Sequence, residues 1–465
     1  MSYKDPEKSV PANRIPDHVK KIMRLIGDSG YSAYVAGGAV RDIVLGKIPH
    51  DYDIATSACP EDTIRVLSSA GIDYFDTGAK HGTITAITPG GNIEITTFRE
   101  DGAYSDLRRP DDVVFKTTIE DDVRRRDFTI NAMYMDRDGN ISDPEGGIED
   151  CKRHLIRAVG EPEMRFGEDA LRILRGLRFS SSLGFDIEEN TLAAMEKCAN
   201  GLSDISGERI AAELTGIVTG KYAPQSIRTG WKILSVIIPE IGICHGFDQR
   251  SSYHDQDVLE HTLSVLNNIP YIEETGRDPE LALAALFHDL GKPECFVLDE
   301  FGAGHMKGHP RVSSKIADRV LNELKYPRQL IQNVYLLVNL HDTYVRTDRS
   351  AVHKFMSEYP AEIMEKLPVL QKADILAHSP LGQKRLDHLK AITDISTELK
   401  ESGAVFSIKD LEIDGNDIIE LGVPKGPRVG EILSEVFELY IEGKCTNTKA
   451  SLIKEARKTA STKYV

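Results

Sequence analysis

The chain has 465 residues, with 57 Lys+Arg against 73 Asp+Glu, for a formal charge of −16. Such a length exceeds one compact core and suggests three or four domains at roughly 100–200 residues each. Hydrophobic residues at 40% and charged residues at 28% exclude wholesale disorder, and the acidity excludes a generally basic, non-specific nucleic-acid binder while leaving a locally basic track open.

Residues 1–16 are polar and read as a loose lead-in without the apolar core of a signal peptide. Residues 17–30 carry helical periodicity. Strand and helix signals then alternate to about 140. Ala33–Ala36 is a short apolar strand, and Gly37-Gly38 turns into the helix AVRDIVLG. Thr83–Thr88 and Asn92–Phe98 flank Pro89-Gly90-Gly91, the pattern of a hairpin. Beyond about 145 the strand signals fade and helical periodicity takes over, at 168–200, 208–220, 226–238 and repeatedly through 255–395. The expected fold is α+β: a head with a small mixed β-sheet at 17–145, an all-α neck at 146–240, a helical body at 241–395 and a helical tail at 396–465.

Two glycines between a strand and a helix let a phosphate approach the backbone, and Arg41 adds a fixed cation. Asp51 and Asp53 are two apart, so on a strand both carboxylates face the same way. Paired acidic oxygens beside a phosphate cradle suit Mg2+. In IEITTF the isoleucines share one face, and Glu94 on the other is the candidate third ligand or proton acceptor. Downstream, Asp169, Arg172, Arg175 and Arg178 recur every three residues and predict a polar stripe on one helix, backed by Leu171, Leu174 and Leu177. A carboxylate can accept from the exocyclic amine of cytosine or adenine, and an arginine can donate to a ring nitrogen or carbonyl. The remaining arginines can neutralise a triphosphate. A solvated face with internal ion pairs is the plainer alternative for such a stripe.

In the body, His288-Asp289 closes the apolar run LALAALF and precedes Leu290-Gly291-Lys292. His261 lies upstream, and His309, His341 and Asp374 lie downstream. A vicinal His-Asp at a helix end places two ligands at one point, which the others can complete into an N/O site for a divalent transition metal. His305 competes with His309 for this role. In the tail, Asp414 reads as a helix N-cap. Lys425 and Arg428, within Pro424–Gly430, offer either a phosphate clamp or a plain helix-hairpin turn. Six scattered cysteines, at 59, 151, 198, 244, 295 and 445, contain no CxxC and fit a reducing cytoplasm. No apolar run approaches the ~20 residues of a membrane span, so no membrane partner is expected.

These motifs resemble a known family. GGAVRD followed by HDYDIAT resembles the nucleotidyltransferase signature, and Arg125-Arg126-Asp127-Phe128-Thr129-Ile130-Asn131-Ala132 looks like the RRDFTINA motif of class II tRNA nucleotidyltransferases (CCA-adding enzymes) and bacterial poly(A) polymerases. The resemblance covers most of residues 31–455. It implies that Asp51 and Asp53, with Glu94, hold Mg2+, and that Gly37, Gly38, Arg41, Arg126, Asp127 and Asn131 bind the nucleotide. EDALRILRGLRFSSSLGF resembles the base-recognition motif, which implies that Asp169 and Arg172 select CTP and ATP, with Arg175 and Arg178 at further nucleotide contacts. ISGERI followed by Glu213 resembles the next motif, a structural helix start. Residues 99–110 resemble a flexible loop of the full CCA-adding enzymes, and residues 77–83 look like their version of that segment, favouring addition of CCA to tRNA over poly(A) synthesis or partial addition. The order His261, His288-Asp289, His309, His341, Asp374 resembles the HD phosphohydrolases, implying a second metal site. A hydrolase acting mainly there, with a head that only binds nucleotide, is the rival from another class.

The charge also has a local structure. Residues 151–180 hold seven Lys/Arg against four Asp/Glu, and 441–465 hold six against two. A narrow basic track for tRNA on an acidic body is expected, with salt-sensitive affinity.

Overall fold

The computed structural model describes residues 14–101 and 113–462. The chain divides into two compact units, one of residues 1–242 with 323–326, the other of 243–322 with 327–465.

The first unit opens with the helix Asp17–Asp28, which buries Val19, Ile22, Met23 and Ile26 on one face. The strands that follow are β1 (Ala33–Ala36), β2 (Asp53–Thr56), β3 (Tyr74–Phe75), β4 (Thr83–Thr88), β5 (Gly91–Thr97), β6 (Arg99–Asp101), β7 (Val113–Phe115), β8 (Tyr134–Met135) and β9 (Ile141–Ser142). Seven of them form one mixed sheet in the order β3-β4-β5-β2-β1-β8-β9, while β6 pairs with β7 in a separate two-stranded sheet. The β4–β5 hairpin runs from Thr83↔Thr96 to Thr88↔Gly91, so Pro89-Gly90 is its two-residue turn. The parallel β2–β5 pairing sets Ile54 opposite Ile95, and β1 lies antiparallel on the other side of β2 with Ala36 opposite Asp53. Alternation then does the positioning: Ile93 and Ile95 go into the core while Glu94 emerges between them. Ala36, Ala55, Phe98, Val123, Ala132, Tyr134 and Val159 form one cluster under the site.

Helices dominate after residue 145, at Pro162–Glu168, Leu171–Leu183, Glu189–Cys198, Gly207–Thr219 and Ala223–Ile237. The α+β class holds, with one addition that two-residue strands leave no periodic trace of: short pairs join Leu155–Ile156 to Asp186–Ile187, Tyr271–Ile272 to Gly276–Arg277 and Val297–Leu298 to Gly304–His305. One helix boundary differs from expectation. The helix Leu171–Leu183 starts after Asp169, which sits in extended backbone between two helices and accepts from the Leu171 N–H at 3.0 Å. The polar stripe therefore begins at Arg172.

In the second unit the helix Pro279–Phe287 is apolar all round, and every residue from Leu281 to Phe287 is buried. Asp278 caps it by accepting from the Leu281 N–H. It packs against Val258–Asn268, Arg328–Leu340 and Ala361–Ala377. A separate cluster around Ile418, Ile432, Val436, Leu452 and Ala456 forms the core of the last sixty residues or so. Asp414 and Asp417 form a capping box at the start of the helix Gly415–Glu420. Arg428 is engaged by Glu431 at 2.8 Å, which favours the plain helix-hairpin turn there. Among the described residues no helix is long and apolar enough to cross a membrane, and the six cysteines are free thiols.

Candidate functional site

In the first unit a cleft of roughly 710 Å3 is lined by Gly37, Gly38, Arg41, Asp51, Asp53, Arg126, Asp127, Asn131, Asp169, Arg172, Arg175 and Arg178. All the nucleotide-site residues named from sequence thus share one cavity. Asp53 is the first residue of β2, and Asp51 lies in the loop before it, so the two aspartates do not share a strand. Both are exposed, as is Glu94 on the neighbouring β5. Although its surface is open, Asp53 is partly desolvated by the surrounding cleft, and this, then the charge of Glu94, raises its pKa; Arg126 opposes the shift and Asp51 adds to it. Asp53 lies close enough to Asp51 and Glu94 to feel both charges, and such a carboxylate set suits a hard divalent cation.

The cations opposite are fixed by the fold. Gly37 has φ +71°, a left-handed conformation that favours glycine, and a Cβ there would lie 3.2 Å from the Arg126 Nη1. Arg126 donates to Asp122 Oδ2 at 3.0 and 3.2 Å, to the Tyr134 hydroxyl at 2.6 Å and to the Asn131 carbonyl at 3.1 Å. Burial raises the Asp122 pKa, but Arg125 and Arg126 outweigh it and hold the carboxyl below its usual value. Arg41 donates to Asp42 and to the Asn131 side-chain oxygen, both at 2.8–2.9 Å. The helix behind Gly37-Gly38 spans only Gly38–Val44, so the guanidinium groups carry more of the positive field than its short dipole does.

The residues expected to recognise the base are arranged differently from the expected stripe. Asp169 accepts from Arg209 Nη2 at 2.9 Å. Arg172 turns away from it, donating to Glu168 and to the carbonyls of Arg165 and Arg125. Arg175 is paired with Asp127 at 2.7–2.8 Å, and Arg178 with Glu213 at 2.6 Å. Arg209 also lines the cleft. From sequence it falls only within ISGERI, read as a structural helix start; its separation of 40 residues from Asp169 gives no periodic signal. Residues 102–110 of the expected switching loop lie outside the described residues.

The second unit gathers all six expected HD residues. His261 Nε2 lies 3.0 Å from Asp374 Oδ1 and 3.4 Å from Asp289 Oδ2. His288 Nε2 lies 3.1 Å from Asp289 Oδ2, and His309 Nε2 lies 3.1 Å from Asp289 Oδ1. His341 Nε2 is 3.3 Å from His309 Nε2. His288, His309 and His341 each place Nδ1 at 2.7–2.9 Å from a backbone carbonyl three residues back. A carbonyl only accepts, so Nδ1 carries the proton and the Nε2 lone pairs converge on Asp289. His288 Nε2 and both Asp289 oxygens are buried without a hydrogen bond of acceptable geometry, which is the state a metal would relieve. Burial would raise the Asp289 pKa, yet His288 and Lys292, the latter 2.6 Å away, hold it well below the carboxylate range. Burial, then His288 and His309, lowers His341 to about 4. His305 is half exposed and paired with Asp299 at 2.9 Å; it lines the same cavity as Asp289 and His309 but is not among the converging ligand atoms. His254 and His378 were not singled out from sequence, yet their ligand atoms lie within 4.8 Å of that of His261. His378 is one helical turn after Asp374, a readable spacing; His254 lies in a loop and has none.

Comparison with known proteins covers both units. Residues 33–157 match the Poly A polymerase head domain, and residues 311–456 match tRNA nucleotidyltransferase domain 2. The CCA-adding enzyme of Leuconostoc mesenteroides is 31% identical, covering 94% of each chain. That of Lactobacillus johnsonii is 34% identical, covering 93% of this chain and 94% of its own. The crystal structure of the Bacillus stearothermophilus CCA-adding enzyme in complex with CTP superposes with a TM-score of 0.72 at 27% identity, covering 95% of this chain and 97% of that one. With such identity along nearly its whole length, the chain belongs to the family of CCA-adding enzymes.

Proposed function

We propose that this enzyme adds or repairs the 3′-terminal CCA of tRNA from CTP and ATP, one nucleotide at a time and without a nucleic-acid template, releasing pyrophosphate. The observation that carries the reading is the single cleft in which exposed Asp51 and Asp53 face Arg41 and Arg126, with Asp169 and its arginines along the wall. Asp51 and Asp53, with Glu94, would hold Mg2+, which when bound supplies charge neutralisation at the triphosphate and activation of the attacking hydroxyl. Gly37 gives the triphosphate close access to the backbone, and Arg41 and Arg126 neutralise its oxygens from fixed positions. Asp169 accepts from the exocyclic amine of cytosine or adenine, which keto-bearing bases lack at that position. The tRNA follows the basic stretch of residues 151–180 through backbone contacts, so affinity falls with added salt. Cytoplasmic residence fits such a role. Incubating the protein with tRNA lacking CCA, CTP, ATP and Mg2+ and sequencing the product tests the reading; a poly(A) or partial CC product would favour its relatives on the same site.

A second reading, favoured by the convergent imidazoles, is a metal-dependent phosphohydrolase in the second unit. His261, His288, Asp289 and Asp374, with His309 and His341, would hold one or more divalent transition metals, which when bound supply an activated water for phosphoester cleavage. Lys292 stands beside Asp289 as a fixed cation for the phosphate. Metal-dependent phosphoesterase activity that Asp289→Asn removes while CCA addition persists is the test.

A further inference from the structure

Seven arginines line the cleft of the first unit, and Phe179 is its one benzenoid side chain among the described residues. Three of those arginines gather around that ring. The guanidinium carbons of Arg41, Arg175 and Arg178 lie 5.7, 5.5 and 4.5 Å from its centroid. Arg175 and Arg178 come from the ring's own helix, Leu171–Leu183. Arg41 comes from the helix Gly38–Val44 on another part of the chain.

The ring itself is held in place. Phe179 is 6% exposed. It meets Phe128 edge-on, with centroids 5.9 Å apart and an interplanar angle of 86°. A Cβ on Gly176 would lie 3.0 Å from the Phe128 Cζ. The helix and Phe128 are thus close-packed, and the aromatic pair has little room to shift.

Three like charges on one wall repel one another. Carboxylates answer them one by one: Asp42 for Arg41, Asp127 for Arg175 and Glu213 for Arg178. Each of those bonds occupies N–H donors, of which a guanidinium has five. The electron-rich face of an aromatic ring attracts the cation through its quadrupole and takes no donor. Donors not held by carboxylates therefore stay available to phosphate oxygens. A leucine would fill much of the same space and supply no such field.

We propose that Phe179 is a positioning residue for nucleotide addition: its ring holds Arg41, Arg175 and Arg178 as one array, preset for the triphosphate, without touching the base. The inference rests on the nucleotidyltransfer reading of the cleft.

The experiment uses the full chain with Phe179→Leu, with Phe179→Tyr, and with Phe179 replaced by trifluorophenylalanine. Addition to tRNA lacking CCA gives KM and kcat, and calorimetry gives the Kd of inorganic tripolyphosphate. Tripolyphosphate carries the nucleotide's charge and neither base nor ribose. Phe179→Leu is expected to raise KM for CTP and for ATP about fivefold, with the tripolyphosphate Kd raised by the same factor and kcat within about twofold of wild type. Phe179→Tyr keeps the ring and should recover most of the affinity. Fluorination keeps the ring's shape but drains charge from its face, so the fluorinated protein should shift in the same direction as Phe179→Leu. It also keeps the test valid should Phe179→Leu misfold. A raised KM with unchanged tripolyphosphate binding overturns the proposal in favour of direct contact with base or ribose. Wild-type KM and Kd in the fluorinated protein overturn it in favour of plain packing. A wild type that adds no CCA overturns the reading beneath the proposal, and the tripolyphosphate Kd then decides the array by itself.

Discussion

Arg209 holds Asp169: its Nη2 donates to Asp169 Oδ2 at 2.9 Å, across a separation of 40 residues. The carboxylate proposed to read the base is thus oriented from a different helix than the one it introduces. Arg209→Ala frees the carboxylate to rotate. The expected result is a KM for CTP and ATP raised about tenfold, equivalent to about 1.4 kcal/mol, with more UTP and GTP incorporated. Arg209→Lys should recover part of this. Steady-state kinetics with each nucleotide checks it, and unchanged KM and selectivity in Arg209→Ala would remove the positioning role.

Arg172 behaves differently. It is buried and bonded to Glu168 and two backbone carbonyls. Arg172→Ala leaves those acceptors unsatisfied and should cost about 1–3 kcal/mol of stability, read as a lowered urea midpoint. A variant as stable as wild type, with nucleotide selectivity lost, would return Arg172 to a direct contact with the base.

The Asp127–Arg175 pair is expected to make the first unit acid-sensitive. Burial raises the Asp127 pKa, but Arg175 more than reverses it, and the net value is depressed. A depressed carboxyl contributes stability that is fully present above its unfolded value of about 3.9 and lost as pH falls through the folded value. Asp127→Asn should therefore lower stability at pH 7 and flatten its decline below about pH 4. Denaturant melts from pH 7 to 3 measure this; a parallel decline in both proteins would count against it.

Gly37→Ala places a Cβ in left-handed backbone and close to the Arg126 guanidinium. The strain costs about 1–3 kcal/mol, and displacement of Arg126 should weaken triphosphate binding more than tRNA binding. Equilibrium binding of CTP and of tRNA separates the two effects.

Much of the site was legible because it obeys local rules. The Gly37-Gly38 turn, the hairpin at Pro89-Gly90 and the emergence of Glu94 between Ile93 and Ile95 follow from strand alternation and turn chemistry. The buried helix before His288 follows from an uninterrupted apolar run. What stayed hidden depends on long-range packing. Asp51 was expected on the strand with Asp53, but β2 starts one residue after Tyr52. Asp169 was expected on the helix, but it breaks from it and pairs with Arg209. His254 joins the His261 cluster from a loop, where no period announces it.

The central claim is that Asp53, beside Asp51 and Glu94 and opposite Arg126, serves CCA addition. The most direct measurement is incorporation into tRNA lacking CCA by wild type and Asp53→Ala, with CTP, ATP and Mg2+, reading the product sequence and the circular dichroism of both proteins. The account predicts a complete CCA end from wild type and no addition from an equally folded Asp53→Ala. Substantial addition by that variant, or a wild-type product other than CCA, would contradict it.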